Sequence, residues 1–380
     1  MKKEVSTDSF IAAITHIYMY SQGKREIKNV MNLVEKRYAV KIHNNLFWND
    51  PYYKKYTKNP YVLYGGYWNK PKNIKIRNLA DPRGNWDVTV KLNGVRRFML
   101  IDEQNTYLYG SNRDVFKIGS GNGEIPGTFI DGEYMKIGNV GTFYAFDILF
   151  YKGKDIRQEN FKDRLEKLEE AFETIKNMNF DAKIELKEYY KKGNLYTKIK
   201  DAFQKIKEIE KKGKDLTDGL IFQPMHWYKN NNTLKWKPPS MLTIDFLLKR
   251  VQNVKDYEYI EEKEPGLRDE QINNDVYLIY VGERGTMKLF TGNNRYPFRG
   301  FIKYEKELFK GEPLENRIIE CSWDSEKEDF VPVRIREDRD KPNNYSTAVS
   351  VWDDIMNPIT KKTIKGNSLK LVRKFHNKVK

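Results

Sequence analysis

Val90-Lys91-Leu92-Asn93-Gly94-Val95-Arg96-Arg97 is the stretch that decides the reading of this chain. It follows Trp86-Asp87-Val88-Thr89, so the approach alternates like a short strand. Trp86, Val88, Val90 and Leu92 fall on one face, Thr89 and Lys91 on the other. A lysine that ends such a strand is held beside a turn. Gly94 allows close backbone approach there, and Arg96 brings a planar donor fork suited to phosphate. The arrangement suits an amine that attacks phosphorus. Taken alone it describes an exposed hairpin turn with a solvated lysine equally well, so the rest of the chain has to decide.

With 380 residues the chain has room for two or three domains and a buried core. Lys+Arg 69 against Asp+Glu 53 gives a net charge of +16, and 14% of residues are aromatic. That balance favours a polyanionic partner, either nucleic acid or nucleotide phosphates. A+T-rich coding, which also enriches Asn, Ile and Tyr, would produce the same excess. Cys321 is the single cysteine beside His16, His43, His226 and His376. An intrachain disulfide and a Cys/His zinc site are thereby excluded. Cys321 sits in the apolar run Ile318-Ile319-Glu320-Cys321, where a buried thiol is expected. No apolar run approaches the roughly 18 residues of a membrane span, and the N-terminus lacks a signal-peptide core. The expectation is a soluble, cytoplasmic protein, with no membrane partner.

Residues 1–60 read as a helical, aromatic-rich extension. From Ile74 to Phe150 strands alternate with glycine turns: Lys91 to Ile101, Tyr107 to Tyr109, Thr128 to Tyr134 and Gly141 to Phe150. The last is apolar on both faces, which places it in a covered position. Phe161, Leu165, Leu168, Phe172 and Ile175 predict a helix, and Tyr196, Ile199, Phe203 and Ile206 a second. Strands follow at Gly219–Phe222 and Thr233–Trp236. Pro238-Pro239 marks a domain break. Beyond it Val276–Val281, Met287–Phe290, Arg317–Trp323 and Phe330–Arg336 read as strands of a small barrel, for which an OB-fold is the natural candidate. The fold class is α+β, with units at 61–240 and 241–348 and a basic segment at 349–380.

Charged clusters interrupt the strands between Lys91 and Lys237. Thr128-Phe129-Ile130-Asp131-Gly132-Glu133 puts two acids at a strand end, and Asp218-Gly219-Leu220-Ile221-Phe222 opens a strand with one. Leu234-Lys235-Trp236-Lys237-Pro238-Pro239 puts two lysines on one strand face. Each cluster alone is an ordinary turn or solvated face. Together they suit nucleotidyl transfer. Lys91 needs a neutral amine, which Lys235 and Lys237 would favour by repulsion. The same lysines and a divalent ion would offset charge developing on the α-phosphate. Glu133 and Asp218 are the carboxylates suited to that ion, Mg²⁺ or Mn²⁺.

Lys91-Leu92-Asn93-Gly94-Val95-Arg96, Asp131-Gly132-Glu133, Phe143-Tyr144-Ala145-Phe146-Asp147, Asp218-Gly219-Leu220-Ile221-Phe222 and Leu234-Lys235-Trp236-Lys237-Pro238-Pro239 resemble the ordered motifs of the covalent nucleotidyltransferase superfamily. Leu242-Thr243-Ile244-Asp245-Phe246 and Phe330-Val331-Pro332-Val333-Arg334-Ile335-Arg336-Glu337-Asp338-Arg339-Asp340-Lys341 resemble capping-enzyme RNA guanylyltransferases, with the forms of large DNA viruses nearest. The similarity runs from about Ile74 to Thr360. It implies a nucleotidyltransferase (ATP-grasp-like) domain of antiparallel sheets with flanking helices, followed by an OB-fold. Lys91 would form a lysyl-GMP adduct from GTP and pass GMP to a 5′-diphosphate RNA end. Arg96 and Arg113 would contact ribose or phosphate, Phe146 would stack on guanine, and Lys187 would read its edge. Glu133 and Asp218 would serve ribose and metal, and Lys235 and Lys237 would hold the α-phosphate. Asp245, Arg336, Asp338 and Arg339 would engage the β- and γ-phosphates on closure of the second domain.

Asn93 stands where that family usually has Asp, and Arg339 where it has Lys. The chain shows no paired Glu-x-Glu strands for an RNA triphosphatase and no methyl-donor loop, while its basic tail resembles the join to a methyltransferase. It therefore reads as one module, working with RNA triphosphatase and cap methyltransferase activities in the cytoplasm, a viral replication compartment or a virion. The rival readings are an ATP-dependent ligase acting through lysyl-AMP and an RNA-binding scaffold whose site has drifted.

Overall fold

The computed structural model describes residues 71–80, 86–110, 115–228, 232–267, 276–303, 314–337 and 339–366. The expected N-terminal extension, Arg113, Asp338 and the tail from residue 367 lie outside the described residues. The chain divides into two units. One takes the described residues of Met1–Ile74 and Asp81–Lys235, the other those of Lys75–Ala80 and Trp236–Lys380.

In chain order the first unit runs β1 (Lys72–Asn73), β2 (Trp86–Leu92), β3 (Val95–Ile101), β4 (Asn105–Gly110), β5 (Val115–Ser120), β6 (Thr128–Ile137), β7 (Val140–Tyr151), β8 (Lys154–Asp155), α1 (Phe161–Ile175), β9 (Lys183–Leu186), α2 (Leu195–Glu210), β10 (Thr217–Pro224) and β11 (Leu234–Trp236). These strands form two sheets, one ordered β1-β11-β10-β2 and one ordered β5-β4-β3-β6-β7-β8 with β9 added beside β7. The pairing is antiparallel apart from β1 with β11 and β7 with β9.

The exposed hairpin turn that is the rival reading of the Val90–Arg97 octapeptide does not form. β2 pairs with β10 in one sheet, whereas β3 pairs with β4 and β6 in the other. The chain changes sheets at this turn, and the reason for Gly94 changes with it. A Cβ there would lie 2.6 Å from Tyr134 O and 2.8 Å from Glu133 Cγ. Gly94 lets the turn press onto β6 rather than onto a ligand.

Both expected helices are present. Asn160 caps α1 by accepting from Asp163 N at 3.1 Å, and Phe161, Leu165, Leu168, Ala171 and Ile175 are buried. Those apolar side chains join Ile130, Phe143, Ala145 and Ile148 in one core, in which each Leu, Ile or Phe is worth about 1.5–3 kcal/mol on burial. α2 is capped by Asn194 and buries Ile199, Ala202, Phe203 and Ile206, but Tyr196 is exposed. Lys198 on α2 reaches Trp86 O at 3.0 Å and Asp87 Oδ1 at 3.1 Å. That pair, with Thr89 Oγ1 donating to Glu188 O at 2.7 Å, explains why β2 buries Asp87 and Thr89 as well as its apolar face.

The second unit contains β12 (Thr243–Arg250), α3 (Val254–Lys263), β13 (Val276–Glu283), β14 (Thr286–Leu289), β15 (Phe301–Lys303), β16 (Ile318–Asp324), β17 (Asp329–Ile335) and α4 (Tyr345–Met356). The sheet is ordered β14-β13-β12-β16-β17, with β15 beside β13. Lys303 N at the end of β15 donates to Asp329 Oδ2 at the start of β17, at 3.2 Å. The two ends of the sheet therefore approach each other, as an OB-type barrel requires. The expected boundary at residue 348 falls inside α4. Ala348 and Trp352 are buried in the same core as Phe246, Phe290 and Phe330, and Trp352 Nε1 donates to Tyr296 O at 2.8 Å. An indole that fills a core and satisfies its donor holds the helix to the barrel. Cys321 is buried here as expected, and burial pushes its thiol well up. No helix among the described residues is long and apolar enough to cross a membrane.

Candidate active site

Lys91, Leu92, Arg96, Asp131, Glu133, Phe146, Asp147, Lys187, Tyr189, Gln223 and Tyr228 line a cavity of about 170 Å³ in the first unit. The sheet switch builds it. β2 delivers Lys91, the residue next to the strand end, and β3 delivers Arg96 just after the turn.

Lys91 pairs with Asp218, with Nζ 2.8 Å from Oδ1 and 2.9 Å from Oδ2. The pairing depends on a β-bulge. In the β10–β2 register Thr217 faces Leu92 and Gly219 faces Lys91, leaving Asp218 as the extra residue. Gly219 has φ +139°, a backbone open to glycine but strained for other residues. The Asp-Gly pair read as a strand opening is thus a device for re-aiming a carboxylate at the lysine.

Arg96 is held by two partners. Its Nε donates to Asp131 Oδ1 at 2.8 Å, its Nη2 pairs with Asp131 Oδ2, and Nη2 also lies 3.0 Å from Tyr228 Oη. Tyr228 in turn donates to Asp131 Oδ2 at 2.7 Å. Asp131 is fully buried. Burial works against the Arg96 charge, but Asp131 and Tyr228 outweigh it and hold the guanidinium above its ordinary range. Burial raises Asp131 even so, and pushes Tyr228 well up. The guanidinium is fixed as a fork by Asp131, with its Cζ 5.7 Å from the Phe146 ring centre.

Phe146 receives a second cation. Lys187 Nζ stands 5.2 Å from the same ring centre. Lys187 follows β9, where its backbone N–H donates to Ala145 O at 2.8 Å on β7. Burial lowers it to about 8, with repulsion from Lys91 adding to the effect and Glu133 opposing it. Glu133 is raised, chiefly by burial and also by Asp218, while Lys187, Lys91 and Arg96 pull the other way. The aromatic face, the two cations and the acids are mutually tuned, as a binding site for a charged aromatic ligand would require.

Of the expected site residues, Lys91, Arg96, Glu133, Phe146 and Lys187 line this cavity, and Asp218 reaches it through Lys91. Lys235 lies on β11, separated from β2 by β10, and is not among the lining residues; Lys237 belongs to the second unit. Within the second unit Asp245, Arg336 and Arg339 do meet. Arg336 Nη1 donates to Asp245 Oδ1 at 3.0 Å, and Arg339 Nη1 lies 2.8 Å from Asp245 Oδ2. Glu320, opposite Asp245 in the β12–β16 register, pairs with Arg334 and lies 3.7 Å from Arg336 Nη1. Asp245 therefore anchors two arginines.

Sequence reasoning missed Tyr228, Asp147 and the role of Asp131. Asp147 pairs at 2.8 Å through both carboxylate oxygens with Arg164, whose Nη1 also donates to Glu159 O and His226 O. Arg164 sits on the buried stripe of α1, where a 3.6-residue period marks it as an inward position held by a charge. Asp131 is two residues before Glu133, a visible strand-face signal. Tyr228 follows β10 in a loop without periodicity, and nothing local flags it.

A family model described as mRNA capping enzyme, catalytic domain, matches residues 73–239, and one described as mRNA capping enzyme, C-terminal domain, matches residues 241–365. An mRNA-capping enzyme of African swine fever virus (isolate Pig/Kenya/KEN-50/1950) is 26% identical over 317 residues, covering 72% of this chain and 34% of that protein. An mRNA-capping enzyme of Danio rerio is 30% identical over 318 residues, covering 77% of this chain and 47% of its own length. The chain thus spans between a third and half of these relatives. Among solved structures, a Chlorella virus DNA ligase-adenylate aligns with 70% of this chain and 99% of its own, at 15% identity and a TM-score of 0.30. With the catalytic and C-terminal family models lying end to end over most of its length, and the lysine, acids and aromatic of the cavity inside the first of them, the chain belongs to the mRNA capping enzyme family.

Proposed function

We propose that the chain is the guanylyltransferase of RNA cap synthesis. The observation that carries the reading is Lys91, paired with Asp218 in a cavity that also holds Phe146, Lys187, Glu133 and Arg96. Guanine would stack on Phe146, with Lys187 at its edge, and Arg96, fixed by Asp131 and Tyr228, would contact ribose or phosphate. Lys91 Nζ, having lost a proton, attacks the α-phosphorus of GTP. The N–P bond forms as the bond from phosphorus to the α,β-bridging oxygen breaks, and pyrophosphate leaves with the electron pair. An oxygen of the terminal phosphate of 5′-diphosphate RNA then attacks the same phosphorus and returns the lysine amine.

Among the described residues no group of three or more His, Cys, Asp or Glu converges on a metal position. Mg²⁺ commonly takes only one or two carboxylates and completes its shell with phosphates and water. Glu133, raised chiefly by burial and also by the nearby Asp218, fits that pattern together with Asp218 for Mg²⁺ or Mn²⁺. Such an ion, when bound, would draw charge from the α-phosphate. Lys235 and Lys237 are proposed as further phosphate contacts, as are Arg336 and Arg339 of the second unit. RNA with a 5′-diphosphate requires a triphosphatase reaction beforehand, and cap maturation requires a methyltransferase afterwards; both are proposed as partner activities.

The test is transfer. Protein, GTP, Mg²⁺ and 5′-diphosphate RNA should give a nuclease-resistant GpppN end and one pyrophosphate per cap. Sealing of nicked polynucleotide with ATP, without cap formation, would refute the reading.

A further inference from the structure

Asn93 is one of two positions at which this chain departs from the motifs it resembles, and its side chain has a specific partner. Nδ2 donates to Asp215 O at 2.9 Å, while the Asn93 backbone N–H donates to Leu216 O at 3.0 Å. Asp215 has φ +58°, so the carbonyl that Asn93 meets is presented by a left-handed turn uncommon outside glycine. Three residues later comes Asp218, the bulged residue whose carboxylate pairs with Lys91. The connections close a ring: Lys91 to Asn93 along the chain, Asn93 to Asp215 by hydrogen bond, Asp215 to Asp218 along the chain, and Asp218 back to Lys91 by ion pair.

Only a donor can make the Asn93 bond. An aspartate has no N–H, and its carboxylate would face the Asp215 carbonyl oxygen with like partial charge. We infer that Asn93 is a positioning residue: its amide fixes the Asp215–Asp218 segment and, through it, the Lys91–Asp218 pair. Asparagine is then required by this chain's own turn and is not a decayed aspartate. The inference rests on Lys91 being the nucleophile of the proposed function.

The experiment compares wild type, Asn93→Asp, Asn93→Ser and Asn93→Asp in an Asp218→Asn background. Asn93 is exposed, so the substitutions should leave the fold intact, and thermal unfolding checks this. Labelled GTP gives the rate of covalent adduct formation. Asn93→Asp is expected to slow the rate about tenfold, the size of one lost hydrogen bond to a constrained group. KM for GTP should hold within about twofold, because Asn93 does not line the cavity. Asn93→Ser, which keeps a donor, should recover part of the rate. In the Asp218→Asn background the further loss should be small, since both changes act on one pair.

A wild-type or faster rate in Asn93→Asp, or the same fractional loss in both backgrounds, would overturn the inference. Hydrogen–deuterium exchange of the peptide carrying Asp215–Asp218, read by mass spectrometry at one pH, keeps the two claims apart. If wild type forms no adduct with any nucleotide, the functional reading fails. Faster exchange of that peptide in Asn93→Asp still supports the positioning role, and unchanged exchange overturns it.

Discussion

The cavity of the first unit and the arginine cluster of the second use charge in opposite ways. In the cavity Lys91, Arg96 and Lys187 are spread around one aromatic ring and a small enclosed volume. Two of them are matched to acids from a neighbouring strand or loop, Lys91 to Asp218 and Arg96 to Asp131. In the second unit Arg334, Arg336 and Arg339 converge on Asp245 and Glu320, and Arg334 and Arg339 remain well exposed. Burial raises Asp245, although Arg339 and Arg336 pull it down. The first arrangement surrounds Lys91 with groups whose own ionisation is shifted chiefly by burial, Lys187 downward and Glu133 upward. The second is a preassembled cationic face, whose arginines are aimed by carboxylates and screened by solvent. One site encloses its charges, while the other leaves two of its arginines exposed.

The largest break in that comparison is expected at Arg164. Arg164→Ala would leave Asp147 buried with no guanidinium opposite it, and loss of one partner of a buried pair costs about 3–5 kcal/mol. Denaturant unfolding should show that loss, whereas Arg339→Ala in the exposed cluster should cost about 1 kcal/mol or less. Equal losses would erase the contrast.

Asp218→Asn keeps the shape of the bulge but removes the charge facing Lys91. Adduct formation should fall roughly 100-fold or more, in the range found when a charged group acting in the transition state is lost. A single-turnover rate within a factor of three of wild type would separate Asp218 from the chemistry.

Tyr228→Phe removes a hydroxyl that joins Arg96 to Asp131 without removing either. A hydrogen bond to a charged group is worth about 1.5–3 kcal/mol, so GTP affinity should drop about 10- to 100-fold while the protein stays folded. Unchanged affinity would leave Arg96 positioned by Asp131 alone.

The smallest effect concerns pH. Lys187 is lowered to about 8 from an ordinary 10.5, so its charge is present below pH 8 and is lost as pH rises through 8. KM for GTP should climb across that window, and Lys187→Arg, which stays charged, should abolish the climb. The sign for stability is the reverse: between pH 8 and 10.5 the unfolded chain binds the proton and the folded chain does not, so folding gains with rising pH.

Much of this was legible in the sequence, and the pattern of what was not has physical causes. Lys91, Glu133, Phe146 and Asp218 lie on strands whose alternation and flanking glycines betray them, and their order along the chain carried the resemblance. α1 and α2 follow from their apolar periods, except that Tyr196 stays outside. The sheet switch at Asn93-Gly94 was invisible, because two strands joined by Asn-Gly look like a hairpin whichever sheets they enter. Gly94 was read as making room for a ligand when it makes room for β6. Tyr228 could not be seen at all, since its partners Arg96 and Asp131 are more than 90 residues away. Trp352 was assigned to a basic tail, although Ala348 and Trp352, four apart on α4, mark an inward stripe.

The central claim is that the Lys91 amine is the atom that takes the nucleotide. Incubation with each of the four labelled nucleoside triphosphates and Mg²⁺, followed by denaturing separation and peptide mapping, tests it directly. The account predicts an acid-labile GMP adduct from GTP alone, mapped to the peptide containing Lys91 and missing in Lys91→Arg. An adduct formed only from ATP, or a GMP adduct that survives Lys91→Arg, would contradict it.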